Sequence, residues 1–228
     1  MKNKTEICKK KVMNRIKYSI LGLVFGVSAL NAQTEGEKAK SILDSLSNVT
    51  ESYSSISADI EVHLSNKADD ISEKQLGHID LAGDKYKLAV GTTNVLFNET
   101  FKWTIITDAE EVTKEAVEDM ESSGELSPSK IFTMYKEGFK YRFTGEQTID
   151  GVKVAIIELV PENPTDKPYS RAIVHVDQAK YQMTKFILKG KDGNVTTYSI
   201  KSFETNKDFG AKYFDYNDTL CPGCEVLE

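Results

Sequence analysis

The sequence lacks an apolar run long enough to cross a bilayer. The apolar stretch near its N-terminus covers residues 20–30, about half of the roughly 20 residues that a spanning helix needs. It also lacks a cysteine where that run ends. Leu30, Asn31, Ala32 and Gln33 follow one another there, and the one early cysteine, Cys8, precedes the run. No lipid anchored through such a cysteine is expected. Histidine is scarce: His63, His78 and His175 stand singly in expected strands, without the paired spacing of a metal-binding HExxH helix. No GxSxG elbow, Walker A loop or GxGxxG turn occurs. No two carboxylates stand out as an acid–base pair. Enzymatic chemistry, a resident metal and a cofactor therefore have no motif to support them, and none is expected.

What is present at the N-terminus has a different meaning. Lys9, Lys10, Lys11, Arg15 and Lys17 precede the short apolar run, and small residues follow it. That order is the pattern of a secretory signal cut near Ala32. The expected division is a signal peptide over residues 1–32 and one exported, periplasmic domain over residues 33–228. The full chain carries 29 basic and 35 acidic residues. The signal holds seven of the former and one of the latter, which leaves 22 against 34, a net charge of −12. So acidic a chain repels phosphate backbones and anionic headgroups, so nucleic acid is not an expected partner. The remaining length, 196 residues, suits a single domain. Its two cysteines lie in Cys221-Pro222-Gly223-Cys224. An even count in an oxidising compartment favours a disulfide, and Pro-Gly a turn that closes the tail. A catalytic CxxC opens a helix after a strand, and no helix is expected after this one.

Residues 38–53 read as a helix, because Ala39, Ile42, Leu43, Leu46 and Val49 form one apolar stripe. From residue 56 the period changes to two: Ile56, Ala58, Ile60, Val62 and Leu64 alternate with Ser57, Asp59, Glu61 and His63, a half-buried strand. Strands follow at 74–81, 85–90, 95–97 and 101–107, joined by short turns such as Gly83-Asp84. The acidic stretch 110–125 reads as a short strand or frayed helix and then a solvated loop, with no role assigned. Ser127-Pro128 starts a second, short helix that carries Ile131, Met134 and Tyr135 and stops at Gly138. Strands then return, with Phe139, Tyr141 and Phe143 on one face. Hairpin turns are expected at Asp150-Gly151 and at 191–194, and a last short strand at Tyr213, Phe214 and Tyr216. About ten antiparallel strands with two helices point to a mainly β, α+β domain. A sheet that large must curl or split. A curled, unclosed half-barrel with helices over an apolar interior is the expected solution, and a self-filled two-sheet sandwich the alternative.

The order of these elements resembles the LolA-type periplasmic carriers of outer-membrane lipoproteins, over nearly the whole chain beyond the signal. Ser57-Ala58-Asp59-Ile60 is similar to that family's first strand. Asn98-Glu99-Thr100-Phe101-Lys102-Trp103-Thr104-Ile105 resembles its "DGKxxW" turn and strand, with Trp103 at the aromatic position. Ser127-Pro128-Ser129-Lys130-Ile131-Phe132 looks like its mid-chain helix start, and residues 189–198 like its late hairpin. Phe214 and Pro222-Gly223-Cys224-Glu225-Val226 resemble its closing strand and tail. The resemblance implies a hydrophobic cavity that holds lipoprotein acyl chains between an inner-membrane exporter and an outer-membrane acceptor, in a protein expected to act as a monomer. Its candidate liners are Tyr53, Ile60, Val62, Leu81, Tyr86, Leu88, Phe97, Trp103, Ile105, Ile131, Met134, Tyr135, Phe139, Tyr141 and Phe143; core packing is the alternative role for each, since strand periodicity does not distinguish core from cavity. Some members have an arginine at an early turn, where this chain has Ala82-Gly83-Asp84-Lys85; Lys85 lacks the bidentate fork. A binding or sensor module for free lipid on the same fold remains the second reading, and a disulfide-active protein using Cys221 and Cys224 the third.

Overall fold

The structure, a computed structural model, describes residues 30–118 and 127–227. The expected signal falls almost wholly outside the described residues, as do residues 119–126 of the acidic stretch. The long helix α1 (Leu30–Glu51) leads into β1 (Ile56–Asn66), β2 (Ile71–Ala82), β3 (Lys85–Val90), β4 (Thr93–Phe97), β5 (Phe101–Ile106) and β6 (Glu111–Ala116). Two short 3₁₀ turns, Pro128–Phe132 and Met134–Lys136, separate these from β7 (Phe139–Ile149), β8 (Val152–Pro161), β9 (Tyr169–Asp177), β10 (Gln182–Gly190) and β11 (Val195–Ile200). Two short strands end the chain, β12 (Glu204–Thr205) and β13 (Glu225–Leu227).

Each run of strands is an antiparallel meander, β1 to β6 and β7 to β11. They become one sheet because β1 pairs with β11, Ile60 opposite Ile200 and Val62 opposite Tyr198. The resulting 13-stranded sheet of the described residues runs from β13 and β6 at one edge to β7 at the other and does not close. The fold is therefore the curled half-barrel and not the two-sheet sandwich. In β2, Gly77 sits opposite Ile60 and Val90. A Cβ there would come within 2.6 Å of the Ala89 carbonyl oxygen, so the bare backbone lets the sheet bend at this point.

The stripe on α1 does what its spacing predicts. Ala39, Leu43 and Leu46 are fully buried against Ala155, Ile157, Leu159, Ala172, Val174 and Val176 of β8 and β9. The small Ala155 and Ala172 let the helix approach, and each leucine so buried contributes about 2 kcal/mol. Polar ties fix the helix along its length. Lys38 Nζ donates to Glu146 Oε1 at 2.6 Å, the Tyr135 hydroxyl to Asp44 Oδ1 at 2.9 Å, and Lys136 Nζ to Glu51 Oε1 at 2.7 Å. Burial, reinforced by Asp44, pushes the Tyr135 phenol up to about 12.

Three expectations need correction. The mid-chain helix is not α-helical: between Pro128 and Gly138 there is too little chain to nucleate a stable α-helix, and it settles into 3₁₀ turns. The helix at the front begins at Leu30 and ends at Glu51, so Tyr53 lies beyond it. Tyr213, Phe214 and Tyr216 form no strand. Tyr213 and Phe214 pack edge to face at 5.1 Å and both meet Phe209, which takes up the apolar surface that a strand would have given to the sheet.

This C-terminal segment crosses the outer face of the sheet, opposite α1, and a polar cluster pins it there. Asp59 Oδ1 meets His78 Nδ1 at 2.7 Å and Asp80 Oδ1 meets His78 Nε2 at 3.1 Å. The Tyr213 hydroxyl donates to Asp80 Oδ2 at 2.6 Å, and Lys207 Nζ to Ser57 Oγ at 3.2 Å. Burial works against the His78 cation, but the bonds to Asp59 and Asp80 outweigh it and raise its pKa above 6.5. The His78 bond holds Asp59 below its ordinary value. Asp80 also lies low: burial opposes its charge, and Tyr213, Ser57 and His78 together prevail. A raised histidine stabilises below its unfolded pKa and loses that contribution as pH rises through its folded one; depressed carboxylates lose theirs as pH falls below about 4. Melting temperature should fall from about pH 6 to about pH 9, by roughly 2 °C for a pair this exposed. His78→Gln should remove that pH-dependent part, as read by thermal melts at both pH values; an undiminished decline in the variant would assign it to other groups.

Candidate functional site

The inner face of the sheet is divided into a filled half and a hollow half. Under α1, the strands β7 to β10 are packed solid. Beside it, over the junction of the two meanders, an apolar cavity of about 130 Å³ remains. Its floor comes from alternate residues of β1 (Ile56, Ala58, Ile60), β2 (Ile79, Leu81) and β3 (Leu88). The far wall comes from β10 (Met183, Phe186, Leu188) and β11 (Tyr198, Ile200), with Phe203 beyond it. The first 3₁₀ turn supplies the roof through Pro128, Ile131 and Phe132. A space of about 290 Å³ adjoins it and shares Ile56, Leu81 and Phe132. The rest of that vestibule is polar, with Thr50, Glu51, Ser54, Ser55, Asp84, Ser129, Lys130 and Thr133.

Of the liners expected from sequence, Ile60, Leu81, Leu88 and Ile131 meet at the cavity, and Tyr53 stands in the vestibule. Val62, Tyr86 and Phe97 belong to the same apolar cluster, alongside the cavity but not lining it. Met134, Tyr135, Phe139, Tyr141 and Phe143 lie on the correct face but in the filled half, packed with α1. Tyr141 meets Tyr135 edge to face at 6.2 Å, and Lys38 sits 3.7 Å over the Phe143 ring. Trp103 and Ile105 are on the opposite face and are corrected here. Trp103 pairs with Leu96 and Ile105 with Val112, and this outer cluster is covered by Tyr216, Leu220, Cys221 and Cys224 of the tail. Trp103 stacks on Tyr216 at 6.4 Å. Cys221 and Cys224 are joined in a disulfide that closes the turn beneath β13. Ile56 and Ala58 could have been found from the same alternation that gave Ile60. Residues of β10 and β11 carry no local signal, because only the β1–β11 pairing brings them to the site.

One outer-face arrangement has the connectivity of a hydrolytic triad: Ser57 Oγ lies 3.2 Å from His78 Nε2, and His78 Nδ1 meets Asp59. The geometry does not support catalysis. Asp80 occupies the same Nε2, Lys207 donates to the serine oxygen, and Ser57 is only 3% exposed. A histidine with a carboxylate against each ring nitrogen does not present a free lone pair at Nε2 with which to take the serine's proton. His63 bonds Ser72 Oγ at 3.1 Å. His175 is buried, and desolvation followed by the nearby Lys185 lowers its pKa.

No family model matches the sequence, and no curated protein matches it. Solved structures do match. An uncharacterized conserved protein from Thermus thermophilus superposes with a TM-score of 0.55 at 10% identity, over 83% of this chain and 98% of that one. Mycobacterium tuberculosis lipoprotein LppX gives 0.50 at 12% identity, over 76% and 98%. A LolA superfamily protein from Nitrosomonas europaea gives 0.42 at 10% identity, over 78% and 97%. The first two show that this chain shares their fold. At such identities the likeness extends to the architecture and to no particular residue. Within the sheet, Trp103 is the chain's single tryptophan and lies two strands beyond β3, about 10 Å at ~4.8 Å per strand, on the far face. A brominated acyl chain seated in the cavity should therefore leave its emission unchanged, whereas reduction of Cys221–Cys224 should shift it. Strong quenching by the seated chain would return Trp103 to the cavity.

Proposed function

We propose that this protein is an exported, non-enzymatic carrier that takes the acyl chains of lipoproteins into the cavity between α1 and the first meander and moves them from the inner to the outer membrane. The observation that carries this reading is a roofed, predominantly apolar hollow in a fold whose core is otherwise closed to solvent, with a polar opening beside it. Every methylene moved there from water gains about 0.8 kcal/mol. The roof is a single 3₁₀ turn in which no residue is fully buried, so it can yield. Met183 and the aromatic rings of Phe132, Phe186 and Tyr198 adapt to different chain shapes. A signal cut near Ala32, without a lipid-attachment cysteine, suits a protein that leaves the inner membrane entirely. The partners of this reading are acylated lipoproteins, an inner-membrane exporter and an outer-membrane acceptor, with the carrier itself a monomer.

The cavity's size favours a second reading on the same site. At about 130 Å³ it resembles in volume an engineered apolar cavity of about 150 Å³ that holds one benzene. Several acyl chains require the roof and α1 to move outward; one chain of a free lipid requires less. Sensing or carrying a free lipid is thus the alternative.

Purified mature protein added to spheroplasts that hold a labelled, outer-membrane-destined lipoprotein should release it into the soluble fraction in a one-to-one complex. Ala58→Phe, which places a ring into the floor of the cavity, should reduce that release at least tenfold while the circular dichroism spectrum stays unchanged. Release that is equal in the variant would move the binding site elsewhere. No release, with a free lipid found in the protein by native mass spectrometry, would select the second reading.

A further inference from the structure

The vestibule next to the cavity has a chemistry of its own. Of its hydroxyls, Ser54 Oγ donates to Asn206 Oδ1 at 3.2 Å and Ser55 Oγ to the Lys207 carbonyl at 2.7 Å. Thr133 Oγ1 donates to the Lys130 carbonyl at 3.4 Å, and Ser129 Oγ is bonded to Ser127 Oγ at 2.9 Å. A hydroxyl has one proton and two lone pairs. With the proton committed to a protein acceptor, Ser54, Ser55 and Thr133 have lone pairs left to offer a guest. The carboxylates of Glu51 and Asp84 are acceptors only. Glu51 is balanced by Lys136 and also accepts from Ser47; Asp84 faces the opening in the turn between β2 and β3. The vestibule also lies at the C-terminal end of α1, which has no basic residue in its last turn, so the helix dipole adds partial negative charge. Against all of this stands one cation among the lining residues, the exposed Lys130.

We infer that the vestibule selects the polar head of the bound amphiphile: it takes a head rich in O–H or N–H donors and without negative charge, and it rejects a carboxylate or a phosphate. The inference rests on the reading that the adjoining cavity holds an apolar chain. Ile56, Leu81 and Phe132 line both spaces, so a chain in one leaves its head in the other. A donor head finds acceptor lone pairs on several sides. An anionic head brings further acceptors to acceptors, beside Asp84 and the negative helix end. That mismatch corresponds to a difference of the order of tenfold in affinity at a site open to water. A lipoprotein's acylated terminus, uncharged and offering peptide N–H donors, and a free neutral lipid that carries hydroxyls both satisfy the requirement; a free fatty acid does not.

Monopalmitin and palmitate, which share one acyl chain and differ in the head, separate these cases. Each would compete for the mature protein against a fluorescent acyl probe, below its micellar concentration and at neutral pH. Monopalmitin should displace the probe about tenfold more effectively. Asp84→Lys should narrow or invert that preference, and Asp84→Asn, which keeps the turn's shape, should shift it in the same direction by less. Palmitate binding as tightly as monopalmitin to the unaltered protein would overturn this inference alone. So would a preference that both Asp84 variants leave unchanged. Failure of both lipids to displace the probe would overturn the carrier reading and this inference with it. A second comparison, of monopalmitin with the acylated terminal peptide of a lipoprotein, tells the two donor-headed sources apart by which one binds more tightly.

Discussion

The pairing of β1 with β11 is the constraint on which the structure depends. Without it the chain has two separate meanders, each with a bare apolar face. With it, Ile60 and Val62 come beside Ile200 and Tyr198, and the inner faces of both meanders become one surface. The cavity sits on that seam, with walls from β10 and β11 and a floor from β1 and β2. The partners are far apart in sequence, so joining them costs more loop-closure entropy than any hairpin within either meander. The site is thus a property of the completed sheet and of no local segment.

What stays hollow follows from where the covering elements end. The apolar stripe of α1 is tightly buried at Ala39, Leu43 and Leu46 and has faded by the half-buried Val49. Past that point no long side chain from the helix descends onto β1 and β2. The segment that could have filled the gap is too short for an α-helix and lays only one 3₁₀ turn, Pro128–Phe132, across it. Elsewhere the core is closed to solvent, with Leu96, Ile105, Ile157 and Leu159 almost without solvent contact. The cavity therefore results from a shortage of covering chain over one part of the sheet and not from loose packing throughout.

Much of the fold could be read from the sequence, because its signals are local. The stripe on α1, the alternation through Ile56, Ala58 and Ile60, and the turns at Gly83-Asp84 and Asp150-Gly151 each follow from spacing or backbone preference. The choice of face for a given strand could not. In β5, Trp103 and Ile105 alternate with Lys102 and Thr104, and alternation says which side is dry without saying what dries it. The tail covers Trp103 on the outside, while the buried Lys102 on the inside pairs with Glu115 at 2.9 Å, an arrangement that reverses the usual reading of the strand. Phe139, Tyr141 and Phe143 show the complementary difficulty: their face was legible, but whether α1 or a void lay above them depended on where the helix ran.

A sheet that never closes has a standing weakness, since each edge presents unpaired N–H and C=O groups to any extended chain that drifts past. At β6 this chain supplies its own partner. Glu225 to Leu227 lie parallel to Glu111 to Thr113, and the Cys221–Cys224 turn sets where that short strand begins. The hydrogen-bonding positions a neighbouring molecule would need to extend the sheet at that place are already occupied. Along those residues the edge of the sheet becomes a strand of three residues, too short to template fibre-like growth well, while the interior stays open to a guest.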